Sequence, residues 1–256
     1  MPAATAYHPL AANINVRMRE EPIRIYLDLK TEERCLDIGC GLGYMLSKLQ
    51  NVGAELHGID TSQESVEYVQ KHITPHAKVG SCISIPYPDN HFDKALFCEV
   101  IEHVEDDRTA LQEIYRVLKP GGRVVISTPA YEGFFTRTYL KRLGHHEGGE
   151  RHARDGYYRH ELQEKLEQSG FTNVQSSLHM FLFSELMMQL TKIGFMAKRR
   201  SFKAQSDILE EQRTLPFRCL KAALNVAVPL GRLEDKLCIP LTQKGHALIV
   251  AAEKHV

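Results

Sequence analysis

From Cys35 onward, short apolar runs alternate with stretches whose apolar residues recur at helical spacing. Cys35-Leu36-Asp37-Ile38 is apolar but for one acid, the pattern of a strand buried on both faces. Tyr44 to Gln50 follows with Tyr44, Leu46 and Leu49 at helical spacing, and Glu55 to Ile59 reads as a second strand. Thr61-Ser62 opens a helix to about His72, with Val66 and Val69 inward and Glu64 completing a capping box with Thr61. Ala77–Ser81, Asp93–Glu99 and Arg123–Ser127 are the next three strands, and the second of these is apolar enough to be central. Between the last two lies a helix over Asp107–Leu118, stopped by Lys119-Pro120-Gly121-Gly122. Tyr158–Ser169 is a helix closed by Gly170, and Phe171–Ser177 is strand six. Upstream, residues 1–20 read as an arm, and Glu21–Lys30 as a helix begun by Pro22 that covers a cleft or packs on a sheet edge.

The chemistry concentrates where the first strand meets its helix. Gly39, Gly41 and Gly43 let a ligand approach bare backbone at a helix N-terminus. Asp60 closes the second strand 21 residues after Gly39, a distance at which an acid accepts hydrogen bonds from ribose hydroxyls. The turn departs from the dinucleotide fingerprint, because Tyr44 stands where GxGxxG needs glycine. Asp37, just before the turn, would repel a pyrophosphate but suits a cationic amine. A ribose and an ammonium group without phosphate describe S-adenosylmethionine.

LDIGCGLG with GID at the second strand resembles the cofactor motifs of class I S-adenosylmethionine-dependent methyltransferases, and most closely the ubiquinone-biosynthesis O-methyltransferases. SIPYPDNHFD, EVIEHV and LKPGG extend the resemblance over Arg34 to Phe171. It implies an α/β, Rossmann-like, seven-stranded and mostly parallel sheet with helices on both faces. Strand seven is then Ala247–Ala252, which leaves a helical cap inserted between strands six and seven. The domains implied are an arm and helix over 1–33, a cofactor-binding domain over 34–178 plus 246–256, and the insertion over 179–245. The cofactor residues implied are Asp37, Gly39, Cys40, Gly41, Gly43, Asp60, Thr61, Ser81, Cys82, Ile83, Cys98, Glu99 and His103. Ser81 stands where many relatives carry an adenine-binding Asp, and its hydroxyl can accept but bears no charge.

The expected reaction moves the sulfonium methyl to a small-molecule or lipid-like acceptor, at oxygen on resemblance alone, releasing S-adenosylhomocysteine. Nitrogen or carbon as acceptor, and a non-catalytic binding subunit, are the rivals. His103 leaves the central strand at the switch point and is the first candidate to take a proton, or only braces its loop. The long connection Ala130–Gly156 reads as a lid and carries the reserves His145, His146 and His152. Their spacing supports no metal site.

Composition narrows the partners. With 32 basic and 32 acidic residues, no charge excess points to nucleic acid. Six cysteines without a CxxC pair suit a reducing, cytoplasmic setting, and neither a secretory signal nor a spanning segment is read. The insertion carries a helix with an apolar stripe at Leu182, Leu186, Leu190 and Ile193, then Lys198-Arg199-Arg200, then a second helix over Arg218–Val228. A cap over the substrate, a homodimer surface, and peripheral docking on a membrane are its three readings.

Overall fold

The structure, a computed structural model, describes residues 13–133, 153–188 and 215–256. In chain order the elements are α1 (Ile14–Leu27), β1 (Arg34–Ile38), α2 (Tyr44–Leu49), β2 (Glu55–Asp60), α3 (Gln63–His72), β3 (Ala77–Val79) and β4 (Phe92–Cys98). Then come α4 (Asp107–Val117), β5 (Leu118–Pro129), α5 (Arg159–Gln168), β6 (Phe171–His179), α6 (182–188), α7 (Leu215–Thr242) and β7 (Ala247–Lys254). The strands form one sheet in the order β3-β2-β1-β4-β5-β7-β6. The pairs among β1 to β5 are parallel, and β7 runs antiparallel to both β5 and β6.

Alternate residues of each strand feed two apolar layers, as the two-residue strand period requires. Leu36, Ile38, Ala95, Phe97, Val124 and Ile126 pack with Ala110, Leu111 and Ile114 of α4 and Leu162 and Leu166 of α5. On the opposite face, Cys35, Leu96 and Val125 pack with Ile23 and Leu27 of α1, Met45, Leu46 and Leu49 of α2, and Val69 of α3. The strand order reverses between β1 and β4, so the carboxyl ends of these two strands splay open a crevice for a ligand.

Three sequence expectations are corrected. The first helix begins at Ile14, capped by the Asn13 side chain, and Pro22 lies inside it instead of starting it. The earlier start is fixed by Ile14 and Met18, which pack against Met180, Met188, Leu224 and Val228 of the insertion. The N-cap of α3 is Ser62, which accepts from Ser65 N, so the Thr61–Glu64 box is displaced by one residue. The second insertion helix runs to Thr242 through Pro229 and Pro240, well beyond Val228. Proline costs such a helix one backbone bond, and here burial of Leu224, Ala227, Val228 and Ile239 outweighs it. Leu190, Ile193 and the Lys198–Arg200 cluster lie outside the described residues.

Two carboxylates of α7 organise the start of α6. Asp235 accepts from Met180 N at 2.9 Å and Phe181 N at 2.8 Å, and Glu234 accepts from Phe183 N at 3.0 and 2.9 Å. These are amide donors that a helix N-terminus leaves without intrahelical partners. Among the described residues no helix is long and apolar enough to cross a membrane.

Candidate functional site

The crevice is built by the loop between β1 and α2. Gly39 N and Cys40 N both donate to Ile59 O, at 2.8 and 2.9 Å, which ties the loop to the end of β2. Gly39 adopts φ +71, and a Cβ there would stand 2.5 Å from Val100 Cγ2. Gly43, at φ +72, is the N-cap of α2 and passes so close to α3 that a Cβ would lie 2.5 Å from Ile73 Cδ1. Glycine at both positions is therefore dictated by backbone conformation and by space.

Asp60 is half-buried at the end of β2. Its Oδ2 accepts from Gly41 N at 2.8 Å and its Oδ1 from Ser62 N at 2.9 Å. Each oxygen keeps a further lone pair, so the carboxylate can still receive two hydroxyl donors. Asp37 is 4% exposed and lies on the α1–α2 face of the sheet, in phase with Cys35. No hydrogen bond to its carboxylate is found among the described residues, and burial, then the charge of Asp60, raises its pKa to about 7. A buried carboxyl in this state is stabilised by a proton or by a cation placed against it.

The remaining expected cofactor residues divide by position. The Cys40 thiol is turned into the sheet, 3.0 Å from where a Gly58 Cβ would be, so both its amide and its side chain serve β2. Thr61 is exposed, and β3 ends at Val79, before Ser81. Ser81 and Cys82 are half-buried and Ile83 is exposed in the turn that follows, where Ser81 Oγ accepts from Ile83 N at 3.4 Å. Cys98 ends β4, and burial, then the charge of Asp37, pushes its thiol well up.

Just past it, Glu99 takes φ +56 and receives hydrogen bonds from Ser127 Oγ at 3.3 Å and Asn15 Nδ2 at 3.4 Å, beside an ion pair with Arg19. His103 closes the short helical turn Ile101–His103 after β4, its amide donating to Val100 O at 2.9 Å. His145, His146 and His152 lie outside the described residues.

Residues the sequence reading passed over stand around Glu99. Arg19 of α1 is 2% exposed against Glu99. Glu102 is 1% exposed, accepts from Thr128 Oγ1 at 3.2 Å, and is raised to about 8 by burial and then by Glu99. His179 at the end of β6 shares a 2.8 Å hydrogen bond with Ser177 Oγ and is lowered to about 4 by burial, then by Arg19 and Arg232. Arg19 was missed because the helix was started two residues after it. The signal was present in Ile14, Met18 and Ile23, which put Arg19 on a buried face. A cavity of about 270 Å³ lined by Gln50, Leu56, Thr74 and His76 lies at the opposite, amino end of β2, away from these groups.

With this geometry in view, comparison with known proteins is informative. Residues 36–126 match the sequence family described as "Methyltransferase domain". The chain is similar to phosphoethanolamine N-methyltransferase 3 of Arabidopsis thaliana, 34% identical over 46% of this chain and 26% of that protein. It is similar to a demethylmenaquinone methyltransferase of a Geobacillus strain, 26% identical over 65% of this chain and 82% of that protein. The chain spans only 26% to 33% of the length of several curated relatives that it matches. In fold it resembles Haemonchus contortus phosphoethanolamine N-methyltransferase 2, solved in complex with phosphomonomethylethanolamine and S-adenosylhomocysteine. That likeness has TM-score 0.56 and 20% identity, over 94% of this chain and 53% of that one.

Proposed function

This chain belongs to the class I S-adenosylmethionine-dependent methyltransferase family, and we propose that it transfers the methyl group of S-adenosylmethionine to a small-molecule or lipid-like acceptor. The observation that carries this reading is the pairing of Asp37 with Asp60 across a glycine loop. One is a buried carboxyl without a hydrogen-bond partner among the described residues, and the other retains free lone pairs at the end of β2. Asp37 fits an ammonium group, Asp60 fits ribose hydroxyls, and the missing side chain of Gly39 leaves backbone open to contact. These are the features a ligand of that composition needs, so the residues present fit the cofactor.

When bound, S-adenosylmethionine supplies a methyl group already activated on a sulfonium. The chain's task is then to hold two molecules in line and to exclude water. Asp37 orients the amine, Asp60 fixes the ribose, the backbone of Gly39 and Gly41 borders the cofactor, and Ser81, Cys82 and Ile83 border the adenine. The acceptor occupies the crevice beyond β4, beside Glu99 and His103. His103 takes the proton where the acceptor is a hydroxyl. Oxygen is the assigned acceptor atom, and the named N-methyltransferase relative favours nitrogen as the second reading.

The segments 34–178 and 246–256 form the transfer domain and 179–245 its cap, a division supported by the cluster that joins Ile14 and Met18 to Met188 and Leu224. On the outer side of α7, Val226, Leu230, Leu233, Leu237 and Leu241 are 52% to 86% exposed and recur at helical spacing. This row supports an apolar contact, with a membrane surface or with a second copy. Sedimentation with and without anionic liposomes separates the two.

The test of the transfer reaction is incubation with methyl-labelled S-adenosylmethionine and a panel of catechols, quinols and phosphoethanolamine. Label is expected in an organic or cationic product, with S-adenosylhomocysteine formed in equal amount. A protein that does not bind S-adenosylmethionine contradicts the proposal.

A further inference from the structure

Three imidazoles gather toward the amino end of β2, opposite the end that carries Asp60. His57 is 6% exposed, and its ring stacks on the exposed His76 with centroids 4.9 Å apart. Half-buried His91 meets the same ring edge-on at 6.1 Å and stacks on Tyr87 at 5.7 Å. His57 Nε2 lies 2.7 Å from Glu55 Oε1, and His57 Nδ1 lies 3.2 Å from Tyr87 Oη. The Tyr87 hydroxyl also donates to His76 O at 3.1 Å. These three contacts need three protons, whereas a neutral imidazole and one hydroxyl hold two. The Glu55 carboxylate claims the proton on Nε2, so a neutral His57 leaves Nδ1 competing with His76 O for the Tyr87 proton. A second proton on His57 fills all three contacts but adds a buried charge.

The surroundings resist that charge. Glu55 is shared with Arg34, whose Nε donates to it at 3.1 Å, and Lys78 Nζ stands 4.1 Å over the Tyr87 ring. Across β2, burial and then Asp37 push the Cys40 thiol well up, so it supplies no anion. Burial holds His57 below its ordinary 6.5, against the pull of Glu55 and reinforced by His76 and His91. Burial, then Arg34, also lowers His91, with Lys119 and Lys78 acting in the same sense. Stability from groups lowered in this way is present above pH 6.5 and is lost as pH falls through their folded values.

Tyr87 belongs to the segment 80–91 between β3 and β4, which also carries Ser81, Cys82 and Ile83. On its other side α4 holds this segment. Arg116 Nη1 donates to Tyr87 O at 2.8 Å, Arg116 Nη2 to Ile85 O at 3.0 Å, and Glu113 accepts from Ile85 N at 2.8 Å. Arg116 and Glu113 stabilise each other's charge, so this anchor does not change near neutral pH. The anchor to β2 does. We propose that His57, His76 and His91 form an acid-operated latch, which as they charge frees Tyr87 from β2 and loosens the segment 80–91. Its effect on the cofactor rests on the methyltransferase reading, in which Ser81, Cys82 and Ile83 border the adenine. Acid then weakens cofactor binding by a route separate from Asp37.

The experiment is hydrogen exchange of the full, ligand-free chain at about pH 7.5 and about pH 5.5, which bracket the ordinary imidazole range. Rates are corrected for the intrinsic pH dependence of exchange. Wild type, His57→Gln and the double variant His76→Gln/His91→Gln are compared. Wild-type protection of the 80–91 amides is expected to fall at the lower pH, by up to about tenfold for each histidine that charges, while the α4 amides keep theirs. His57→Gln keeps a donor for Glu55 and an acceptor for Tyr87 without titrating, so its segment should be equally protected at both pH values. In the double variant, which decides the matter if His57→Gln does not fold, the fall should shrink. Equal wild-type protection at both pH values overturns the proposal, as does a fall of full size in the variants. Calorimetry with S-adenosylhomocysteine should show a larger loss of affinity on acidification in wild type than in the double variant, and an equal loss overturns the link to the cofactor. A wild type that binds no S-adenosylhomocysteine at the higher pH strikes the cofactor assignment instead, and the exchange result still decides the latch.

Discussion

Asp37 ties the stability of the ligand-free protein to pH. Its folded pKa of about 7 lies above the ordinary 3.8 because of burial and then Asp60. Between those values the native state binds more protons than the unfolded chain, so this group's contribution is full at low pH and is lost as pH rises to 7. The slope is up to about 1.4 kcal/mol per pH unit, and it vanishes above 7. His179, lowered to about 4 by burial and then by Arg19 and Arg232, works in the opposite sense between pH 4 and 6.5. A variant is therefore needed to isolate Asp37. Asp37→Asn should match the wild type near pH 4 and exceed its stability by up to about 4 kcal/mol at pH 8, read from urea unfolding. S-adenosylhomocysteine should bind the wild type less well below pH 7, by up to about tenfold per unit, because the amine needs an ionised partner. Asp37→Asn should bind weakly at every pH.

Glycine 39 gives a second residue-level expectation. Gly39→Ala combines a left-handed backbone with a Cβ 2.5 Å from Val100 Cγ2. It should cost about 2 to 4 kcal/mol of stability, measured by the same unfolding titration. Both aspartates and the glycines were legible in the sequence, because backbone approach and charge demand these residue types at these spacings. Arg19, Glu99, Ser127 and His179 meet only through the tertiary arrangement of α1, β4, β5 and β6, and no local spacing announces that meeting.

Among the elements, the parallel strands followed from short apolar runs buried on both faces, and the helices α3 and α4 from a helical period that buries one face. The errors fall at ends. α1 extends to Ile14 because Ile14 and Met18 pack on α6 and on Leu224 and Val228 of α7, about 200 residues away in sequence, and α7 continues to Thr242 with Ile239 buried in the core of the sheet. Proline, a sound local stop signal, is overridden at Pro22, Pro229 and Pro240 by that burial. The contact α7 makes through Asp235 should be structural and separable from the cofactor. Asp235→Ala leaves the Met180 and Phe181 amides without acceptors, which should cost about 2 to 4 kcal/mol and lower Tm by roughly 5 to 15 °C. The variant should still bind S-adenosylhomocysteine, measured by calorimetry.

For the whole molecule, the strand order reverses between β1 and β4, which leaves the glycine loop and Asp60 on the β1–β2 side of the switch point and Glu102 and His103 in the turn after β4. α6 and α7 share an apolar cluster with α1, which braces the first helix against the segment between β6 and β7. In the proposed reaction the Asp37–Asp60 crevice holds S-adenosylmethionine. Calorimetric titration of S-adenosylhomocysteine and of NAD into wild type and Asp60→Asn tests it most directly. One site per chain is expected for S-adenosylhomocysteine, none for NAD, and at least about tenfold weaker binding in Asp60→Asn. Equal affinity in the variant, or binding of NAD in place of the sulfur nucleoside, would contradict it.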